Sequence, residues 1–444
     1  MLVTIGRQCK GHFRSSSRNG VRCPEGGSAA RLRTVPIPTT SDPTRSGCGA
    51  LSHLRVADFS RVLAGPIATM VLADLGADVV KVEQPGVGDE TRTWGPPWWG
   101  NGDEATSTYY LSVNRNKRSI ALDLRDPDDL AVARRIALGA DVVVDNFRVG
   151  TMARFGLDRD SLAAEHPGIV TCSVTGFGSE GEGATLAGYD FLVQAMSGVM
   201  SITGQADGEP TKIGSAMVDN LTGLYAAIAV LAAVERRRET GEGQHVEVSL
   251  MSAALAGLLN VGSGHVVADT EPGRLGNRHP SIVPYQPYHT ADGVLAIAAA
   301  SPALWDKFCM ALGRDDWRTD ERFTDNAARM LHVDDLEAEI ESVLAGDTTA
   351  GWLSVLRAAG IPAGPINTVR EAFVEAVELG LAPVDVLDDG GSTGGRAEAF
   401  RSVRSPIQMS ATPPTVRRRP PSNDQHGAEV RAEVRSAPEG DEPA

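Results

Sequence analysis

Asp219 is the residue of this chain best placed to do chemistry, because it stands just ahead of a long run of small and apolar residues at 224–234. The run predicts a buried helix, at whose N-terminus the helix dipole and free backbone N–H groups favour a charged carboxylate. A carboxylate with an ordinary pKa of about 3.9 is ionised at neutral pH and can act as a nucleophile without a partner base. A plain helix cap is the alternative interpretation of the same residue.

A glycine-rich segment at 176–181 follows a predicted strand and satisfies the spacing GxGxxG. Glu180 and Glu182 would repel a pyrophosphate there, and no helix is predicted to begin at this point, so a nicotinamide or flavin cofactor is not expected. Because glycines permit hinge motion and close backbone approach, the segment instead predicts a loop that covers a site.

Two predicted strand ends offer positions for a ligand. Residues 60–66 join the first strand to its helix, and Asp145, Asn146 and Phe147 end another strand. In an open α/β sheet, ligands bind at the carboxyl ends of the strands. Both segments are therefore natural nucleotide-contacting positions, although ordinary loop chemistry explains either one alone.

The elements that must position these residues alternate between short β-rich apolar runs and helical runs. Predicted strands are 54–59, 77–83, 119–124, 141–147, 169–175, 244–250 and 294–298, and predicted helices include 66–75, 127–138, 302–312, 333–344 and 349–359. Such alternation favours a parallel sheet with helices on both faces. The expected fold class is α/β, with a large Rossmann-like domain and a smaller α+β domain.

Composition and periodicity along the chain also predict its domain organisation. The expected parts are a disordered N-terminal arm at 1–50, a large domain at 51–255, a linker and small domain at 256–365, a C-terminal segment returning to the large domain at 366–430 and a disordered tail at 431–444. The arm is rich in Arg, Ser, Gly and Pro and nearly lacks acids. A targeting segment and a start codon placed too far upstream are the alternatives for this arm.

Composition excludes several classes of function. The chain has 444 residues and a formal net charge of −15, which argues against nucleic-acid partners and acidic membrane surfaces. Its longest apolar run covers about half of the roughly 20 residues that span a bilayer, so no transmembrane helix is expected. Five cysteines without CxxC and nine histidines without HExxH predict neither a disulfide framework nor a metal site. A cytoplasmic location is expected.

Nine motifs follow one another in a fixed order along the chain. They occupy 56–66, 75–83, 88–92, 114–120, 145–147, 188–190, 241–244, 276–280 and 360–365. Together they resemble the family III CoA transferases, in the superfamily of formyl-CoA transferase, carnitine CoA-transferase and α-methylacyl-CoA racemase. The resemblance covers about residues 51 to 430. It departs at Gln84, where some relatives carry Arg, and at Leu186-Ala187, where Arg-Pro is more usual.

The resemblance implies a mechanism centred on Asp219, which falls where the family carries its catalytic aspartate. Its carboxylate would attack an acyl-CoA thioester, giving a mixed anhydride and then an aspartyl-CoA thioester, from which a free carboxylic acid takes the CoA. Succinyl-CoA is the expected donor and a dicarboxylate the expected acceptor. The resemblance also implies an interlocked homodimer, with coenzyme A entering as the acyl-CoA substrate.

A set of CoA-binding residues is implied in the same way. They are Val62, Leu63 and Ala64 along the adenine and pantetheine, Asn146, Phe147 and Tyr189 further along, and Arg125 and Arg154 at the phosphates. Arginine suits bidentate phosphate recognition. A solvated surface charge is the alternative interpretation of both arginines.

Two other functions compete with the transferase. A racemase of the same superfamily needs two acid/base groups and pairs its aspartate with a histidine, at the position where this chain has Tyr189. An ordinary tyrosine, with a pKa of about 10, is a poor base at neutral pH. A non-catalytic CoA-binding protein is the second alternative.

Overall fold

A computed structural model describes residues 49–100, 102, 105–388 and 399–436. Most of the predicted N-terminal arm and the last eight residues of the predicted tail lie outside the described residues. Gly49, at the edge of the arm, packs so closely on the turn at Gly76 that a Cβ there would lie 2.6 Å from the Gly76 Cα.

The described strands are β1 (Arg55–Asp58), β2 (Asp78–Glu83), β3 (Trp98–Trp99), β4 (Thr106–Ser107), β5 (Lys117–Ala121), β6 (Val142–Asp145), β7 (Val170–Thr175), β8 (His245–Ser249), β9 (Tyr285–His289), β10 (Val294–Ala298), β11 (Ala363–Pro365), β12 (Val384–Leu387) and β13 (Phe400–Val403). The described helices are α1 (Ala64–Asp74), α2 (Thr108–Leu111), α3 (Pro127–Leu138), α4 (Thr151–Arg154), α5 (Arg159–Ala163), α6 (Asp190–Met196), α7 (Val199–Ile202), α8 (Met217–Thr240), α9 (Leu250–Gly257), α10 (Leu259–Ala268), α11 (Pro302–Ala311), α12 (Asn326–Leu331), α13 (Val333–Leu344), α14 (Thr349–Ala358), α15 (Val369–Glu378) and α16 (Gly427–Ser436).

Six parallel strands form the main sheet, in the order β5-β2-β1-β6-β7-β8. Numbered by their place in the chain, these strands run 3-2-1-4-5-6 across the sheet, which is the doubly wound order of dinucleotide-binding folds. The order in which strands are added to the sheet reverses between β1 and β6. At this point Val56 of β1 pairs with Val79 of β2 on one side and with Val142 of β6 on the other. The predicted α/β class with a parallel sheet is confirmed, and a ligand is expected at the carboxyl ends of β1 and β6.

The sheet is apolar on both faces because helices cover both. In β6, Val142 and Val144 pack into the core on one face, and Val143 packs into the core on the other. This follows from the two-residue period of a strand. β5 begins at Lys117, two residues before the predicted strand, because Lys117 and Arg118 are buried as charged residues and do not follow the apolar pattern.

Helix α8 begins at Met217, seven residues before the apolar run that predicted it, so Asp219 lies inside its first turn. It ends at Thr240, and the C-cap residue Gly241 has a φ of 78°, which glycine readily adopts. By length and composition alone α8 could cross a membrane, and half of its most apolar 18-residue stretch is buried in the structure. Buried core helices of soluble proteins have the same properties.

A separate core lies in residues 283–361, beneath the antiparallel sheet β11-β10-β9. Its largest members are aromatic: Trp305 and Trp317 stack with ring centroids 6.1 Å apart, and Phe308 packs beside them. The bounds of β10 and α13 are those that the sequence predicted. β9 was not predicted, because its residues Tyr-Gln-Pro-Tyr-His lack a regular apolar period.

The C-terminal segment packs on the edge of the main sheet. Val430 of α16 is buried in the core that contains Val143, and Arg118 forms ion pairs with Glu429 and Glu433 at 2.9 and 2.6 Å. Residues 431–436 are therefore helical, although the sequence predicted that they belong to a disordered tail. The contacts that order them come from β5, more than 300 residues away in the chain.

Candidate active site

Asp219 lies in the first turn of α8, where it is 8% exposed. The free N–H groups of this turn are used by a different carboxylate: the backbone N–H of Val218 and of Asp219 donate to Oδ1 of Asp190, at 2.8 and 3.2 Å. Asp190 therefore caps α8, and the interpretation of Asp219 as the cap is wrong. Within the described contacts the Asp219 side chain makes no hydrogen bond, so its oxygens are available to a ligand.

Burial and then the negative charge of Asp190 raise the pKa of Asp219 to about 7. The sequence predicted an ordinary carboxyl pKa, on the assumption that the helix N-terminus would stabilise the charge. That stabilisation goes to Asp190, while Asp219 is desolvated beside a like charge, and both effects disfavour ionisation. Near neutral pH, Asp219 is consequently divided between its charged and neutral forms.

Asp219 lies on the wall of a cavity of about 190 Å³. The cavity opens at the carboxyl ends of β1, β6 and β7, on the side of the switch point where the topology places a ligand. Seven residues singled out from the sequence line it: Val62, Leu63, Ala64, Asn146, Phe147, Tyr189 and Asp219. The structure thus brings together the strand-end segments, Tyr189 and the candidate nucleophile, which are far apart in the chain.

The loop after β1 carries an unusual backbone conformation at Val62, whose φ is +69°. A β-branched residue is strained in this region and stays there only when its surroundings hold it. The Val62 N–H donates to the carboxylate of Asp89, at 3.3 and 3.2 Å, and Asp89 forms a buried ion pair with Lys81 at 3.0 Å. This buried pair holds the loop that forms the cavity wall.

Three buried acid–base pairs lie beneath the same loop. They are Lys81–Asp89, Lys117–Asp58 at 3.0 Å and Arg92–Glu83 at 2.6 Å. Burial acts to raise the pKa of Asp58, but the charges of Lys117 and Lys81 outweigh it and hold that pKa below its usual range. Because three acids face three bases, these residues can be buried without excess charge. Several motifs that carried the family resemblance therefore support the site from beneath.

Asn146 joins the two loops at the switch point. Its Oδ1 accepts the Arg61 N–H at 2.9 Å and its Nδ2 donates to the Arg61 carbonyl at 2.6 Å. The side chain thus satisfies both backbone groups of a residue 85 positions earlier in the chain. Sequence reasoning singled out Asn146 for ligand contact and did not find this supporting function.

The glycine-rich loop is closed at its base by two glycines. A Cβ on Gly176 would lie 2.6 Å from the Cα of Gly188, and one on Gly188 would lie 2.3 Å from the Cα of Gly176. Only glycine permits this backbone contact. Gly178 and residues 184–187 of the enclosed loop line the cavity, so the loop lies over the site as the sequence predicted.

The two arginines predicted at the phosphates do not line the cavity. Arg125 is exposed and pairs with Asp123 at 2.9 Å, and the Arg154 guanidinium lies 4.9 Å from the ring centroid of Phe155. Arg61 and Arg148 line the cavity in their place. Arg148 was not singled out, although its position directly after Asn146 and Phe147 at a strand end was an available signal. Nowhere in the described ranges do three or more His, Cys, Asp or Glu side chains form a group suited to a metal ion.

Comparisons with known proteins identify the family. The model of CoA-transferase family III matches residues 51–427. The protein belongs to this family. The succinate–glutarate CoA-transferase of Agrobacterium fabrum is 41% identical over 392 residues, which are 86% of this chain and 95% of that protein. The succinyl-CoA:glutarate CoA-transferase of Mus musculus is 40% identical over 338 residues, which are 76% of this chain and 77% of that protein.

A solved structure supports the same assignment. The crystal structure of a CaiB/BaiF family protein from Brucella suis has a TM-score of 0.77 and 39% sequence identity, and the match covers 87% of this chain and all of that one. The resemblance seen in the motifs is confirmed, and this family III protein is a CoA-transferase that moves CoA from an acyl-CoA donor to a carboxylic acid.

Proposed function

We propose that this CoA-transferase uses Asp219 as its nucleophile, with succinyl-CoA as donor and a dicarboxylic acid such as glutarate as acceptor. The supporting observation is a buried carboxylate on the cavity wall whose oxygens make no described hydrogen bond. Two relatives support the choice of substrates, because both are named as transferases that pair succinate or succinyl-CoA with glutarate.

The donor half of the reaction forms and breaks one bond at a time. An Asp219 oxygen attacks the thioester carbonyl, and the C–S bond breaks to release CoA thiolate and leave a mixed anhydride. The thiolate then attacks the carbonyl carbon of the Asp219 carboxyl group, the C–O bond of the anhydride breaks and succinate leaves. The product is an aspartyl-CoA thioester.

The acceptor half is the reverse sequence. The acceptor carboxylate attacks the aspartyl-CoA carbonyl and expels the thiolate, which then attacks the acceptor's own carbonyl in the new mixed anhydride. Asp219 leaves as a carboxylate and the acceptor carries the CoA. Each attack builds an oxyanion that N–H donors must stabilise, and the loop closed by Gly176 and Gly188 is the segment proposed to cover this chemistry.

Only the charged form of Asp219 can begin the reaction, so its raised pKa affects the rate. A carboxylate destabilised by burial is a stronger nucleophile than one stabilised by hydrogen bonds, because attack relieves the desolvation. The reacting fraction decreases below about pH 7. The same cavity that makes Asp219 reactive therefore restricts the pH range in which it acts.

Hydroxylamine trapping tests the nucleophile. After incubation with succinyl-CoA and quenching with hydroxylamine, the peptide that contains Asp219 is expected to appear as a hydroxamate in the mass spectrum. Asp219→Asn is expected to give no hydroxamate and no transfer. A verified donor and acceptor pair that turns over without this modified peptide would refute the proposal. A matrix of donors and acceptors, monitored by the masses of the thioester products, tests the substrates.

A second copy of this chain is proposed to cover exposed apolar side chains of α8 and of α10. Ile228 of α8 is 62% exposed, and Val266 and Val267 of α10 are 82% and 85% exposed. Large apolar side chains left exposed on a helix favour an interface. An interlocked homodimer, as the family resemblance implies, would bury them. Light scattering is expected to give twice the chain mass, and Val267→Glu is expected to lower it. A monomeric wild type would refute the dimer.

A cytoplasmic protein without membrane or nucleic-acid partners remains our proposal for the cellular setting. The formal net charge of −15 supports it. Cys172 and Cys309 support it as well, since both are buried free thiols in the described part of the chain. Fractionation of cells that express the full chain tests this location, and recovery in the membrane fraction would refute it.

A further inference from the structure

Polar side chains on one face of β7 bond to side chains of the neighbouring strands. They stand at alternate positions of the strand and therefore share a face of the sheet. The bonds join Thr171 Oγ1 with His245 Nδ1 at 2.8 Å, Ser173 Oγ with Asp145 Oδ2 at 2.7 Å and Thr175 Oγ1 with Glu247 Oε1 at 3.0 Å. Of the three β7 residues, Thr175 at the carboxyl end of the strand is the one that lines the cavity.

The hydroxyl group of Thr175 serves two partners. It donates its hydrogen to Glu247 Oε1, and its oxygen accepts the backbone N–H of Gly178 at 3.1 Å. A hydroxyl has one hydrogen and a carboxylate can only accept, so the bond to Glu247 turns the lone pairs of Thr175 toward Gly178. Because Thr175 is buried, water competes little for either bond.

Gly178 belongs to the enclosed loop, residues 177–187, which lies over the cavity between Gly176 and Gly188. Among the residues that the structure describes, the bond from Gly178 to Thr175 is the only hydrogen bond that ties this loop to the rest of the chain. The remaining hydrogen bonds of the loop join its own residues to one another. Loss of this single bond should therefore loosen the loop over the cavity.

The backbone at Gly178 suits this connection. Its φ is +95°, which glycine adopts without strain. A Cβ there would lie 3.8 Å from Glu247 Oε1, so Glu247 lies beside the loop although it does not line the cavity. Phe177 adds an apolar contact with the main core. Apolar contacts have no preferred direction, whereas a hydrogen bond fixes the direction of the backbone N–H.

We propose that Thr175 and Glu247 are positioning residues for CoA transfer, which hold the enclosed loop over the cavity that contains Asp219. The proposal rests on the proposed function, in which this loop covers the oxyanions of the reaction. Glu247 acts through Thr175 and Gly178. Because N–H donors stabilise a developing charge best when they are oriented in advance, a loosened loop should lower kcat more than it raises KM.

Amide hydrogen exchange without substrate tests the effect on the loop. Thr175→Val removes the hydroxyl and keeps the shape, so the peptide that spans 176–188 should exchange about threefold to tenfold faster than in wild type. Thr175→Ser keeps the hydroxyl and should restore wild-type exchange. Thr171→Val is the matched control, because it makes the same substitution on the same face of β7 at a hydroxyl that binds His245. It should leave exchange of the loop unchanged.

Steady-state kinetics with succinyl-CoA and glutarate test the effect on catalysis. Thr175→Val should lower kcat about tenfold while KM for each substrate stays within about twofold. Glu247→Met, which removes the acceptor, should lower kcat about threefold to tenfold. The double variant should be no slower than Thr175→Val alone, because both changes break the same contact. Thr175→Ser should recover at least about half of the wild-type kcat, and Thr171→Val should retain all of it.

Several outcomes would overturn the proposal. Unchanged loop exchange in both Thr175→Val and Glu247→Met would do so, as would faster exchange with an unchanged kcat. Equal losses in Thr171→Val would indicate general damage to the sheet, and failure of Thr175→Ser to recover kcat would exclude the hydroxyl as the cause. Because exchange needs no turnover, wild-type protein that transfers no CoA would contradict the proposed function, whereas the exchange results would still decide whether this bond holds the loop.

Discussion

Replacing Asp190 by Asn should move the pH dependence of the first chemical step toward acid. The pKa of Asp219 is raised from 3.8 to about 7, first by burial and second by the charge of Asp190. The whole difference corresponds to roughly 4 kcal/mol against the ionised form. Since the charge of Asp190 is the smaller cause, its removal should lower the pKa by up to about 1.5, to a value between about 5.5 and 7.

The substitution leaves most of the local structure intact. An Asn at position 190 still offers an oxygen to the N–H groups of Val218 and Asp219, so the cap on α8 can remain. The Asp190→Asn variant loses the hydrogen bond that Gln194 Nε2 donates to Asp190 Oδ2 at 2.5 Å. The variant is therefore expected to fold, with the charge as its main change.

Rapid-quench measurement of hydroxamate formation from succinyl-CoA gives kcat/KM for the donor half of the reaction between about pH 5.5 and 9. For wild type the rate should rise with pH through a midpoint near 7, because the proposed mechanism requires Asp219 in its carboxylate form. At pH 6 about a tenth of wild-type sites are ionised, and in the variant this fraction should rise to as much as about three quarters.

Glu90→Gln is the matched control, since Glu90 also lines the cavity but is not a cause of the raised pKa of Asp219. Its midpoint should stay near pH 7. A wild-type midpoint near pH 4 would refute the argument from burial. An unchanged midpoint in a correctly folded Asp190→Asn variant would refute the charge coupling.

Three further predictions follow from the same contacts. Asp219→Asn should raise the free energy of unfolding by about 1–3 kcal/mol at pH 8 and by much less at pH 4, measured by urea unfolding. The reason is that the pKa of Asp219 is higher in the folded than in the unfolded chain, so the wild-type protein loses stability as the pH rises between those two values. Equal effects at both pH values would contradict this. Gly176→Ala should reduce transferase activity more than tenfold and lower the melting temperature, because the added Cβ would lie 2.6 Å from the Cα of Gly188. The control Gly273→Ala should change neither quantity, because a Cβ at that position would have no heavy atom within 4 Å. Asp89→Asn should lower the free energy of unfolding in urea by about 3 kcal/mol or more, because the buried Lys81 loses its charged partner. Adding Lys81→Met should recover much of that loss. No recovery in the double variant would argue against the pairing.

Local sequence signals were enough to place many elements. The strand β10 and the helices α3 and α13 have the predicted bounds, and α3 is capped by Asp126 with Pro127 at its first position. The cap and the apolar period both lie within the element they define. The predicted bounds of a strand were wrong where a contact with a distant residue overrode the apolar pattern. An example is β5, whose first residue, Lys117, is buried against Asp58.

For the site, the sequence determined the family, the position of Asp219 and the segments that meet at the cavity, because ordered motifs and strand ends can be identified along one chain. Tertiary structure alone decided the protonation of Asp219 and the supply of guanidinium groups to the cavity mouth. Both depend on groups far apart in the chain: Asp190 lies 29 residues before Asp219, and Arg61 lies 87 residues before Arg148. Burial and charge act through space, so the pattern along the chain could not predict which carboxylate would cap α8 and which would be left desolvated beside it.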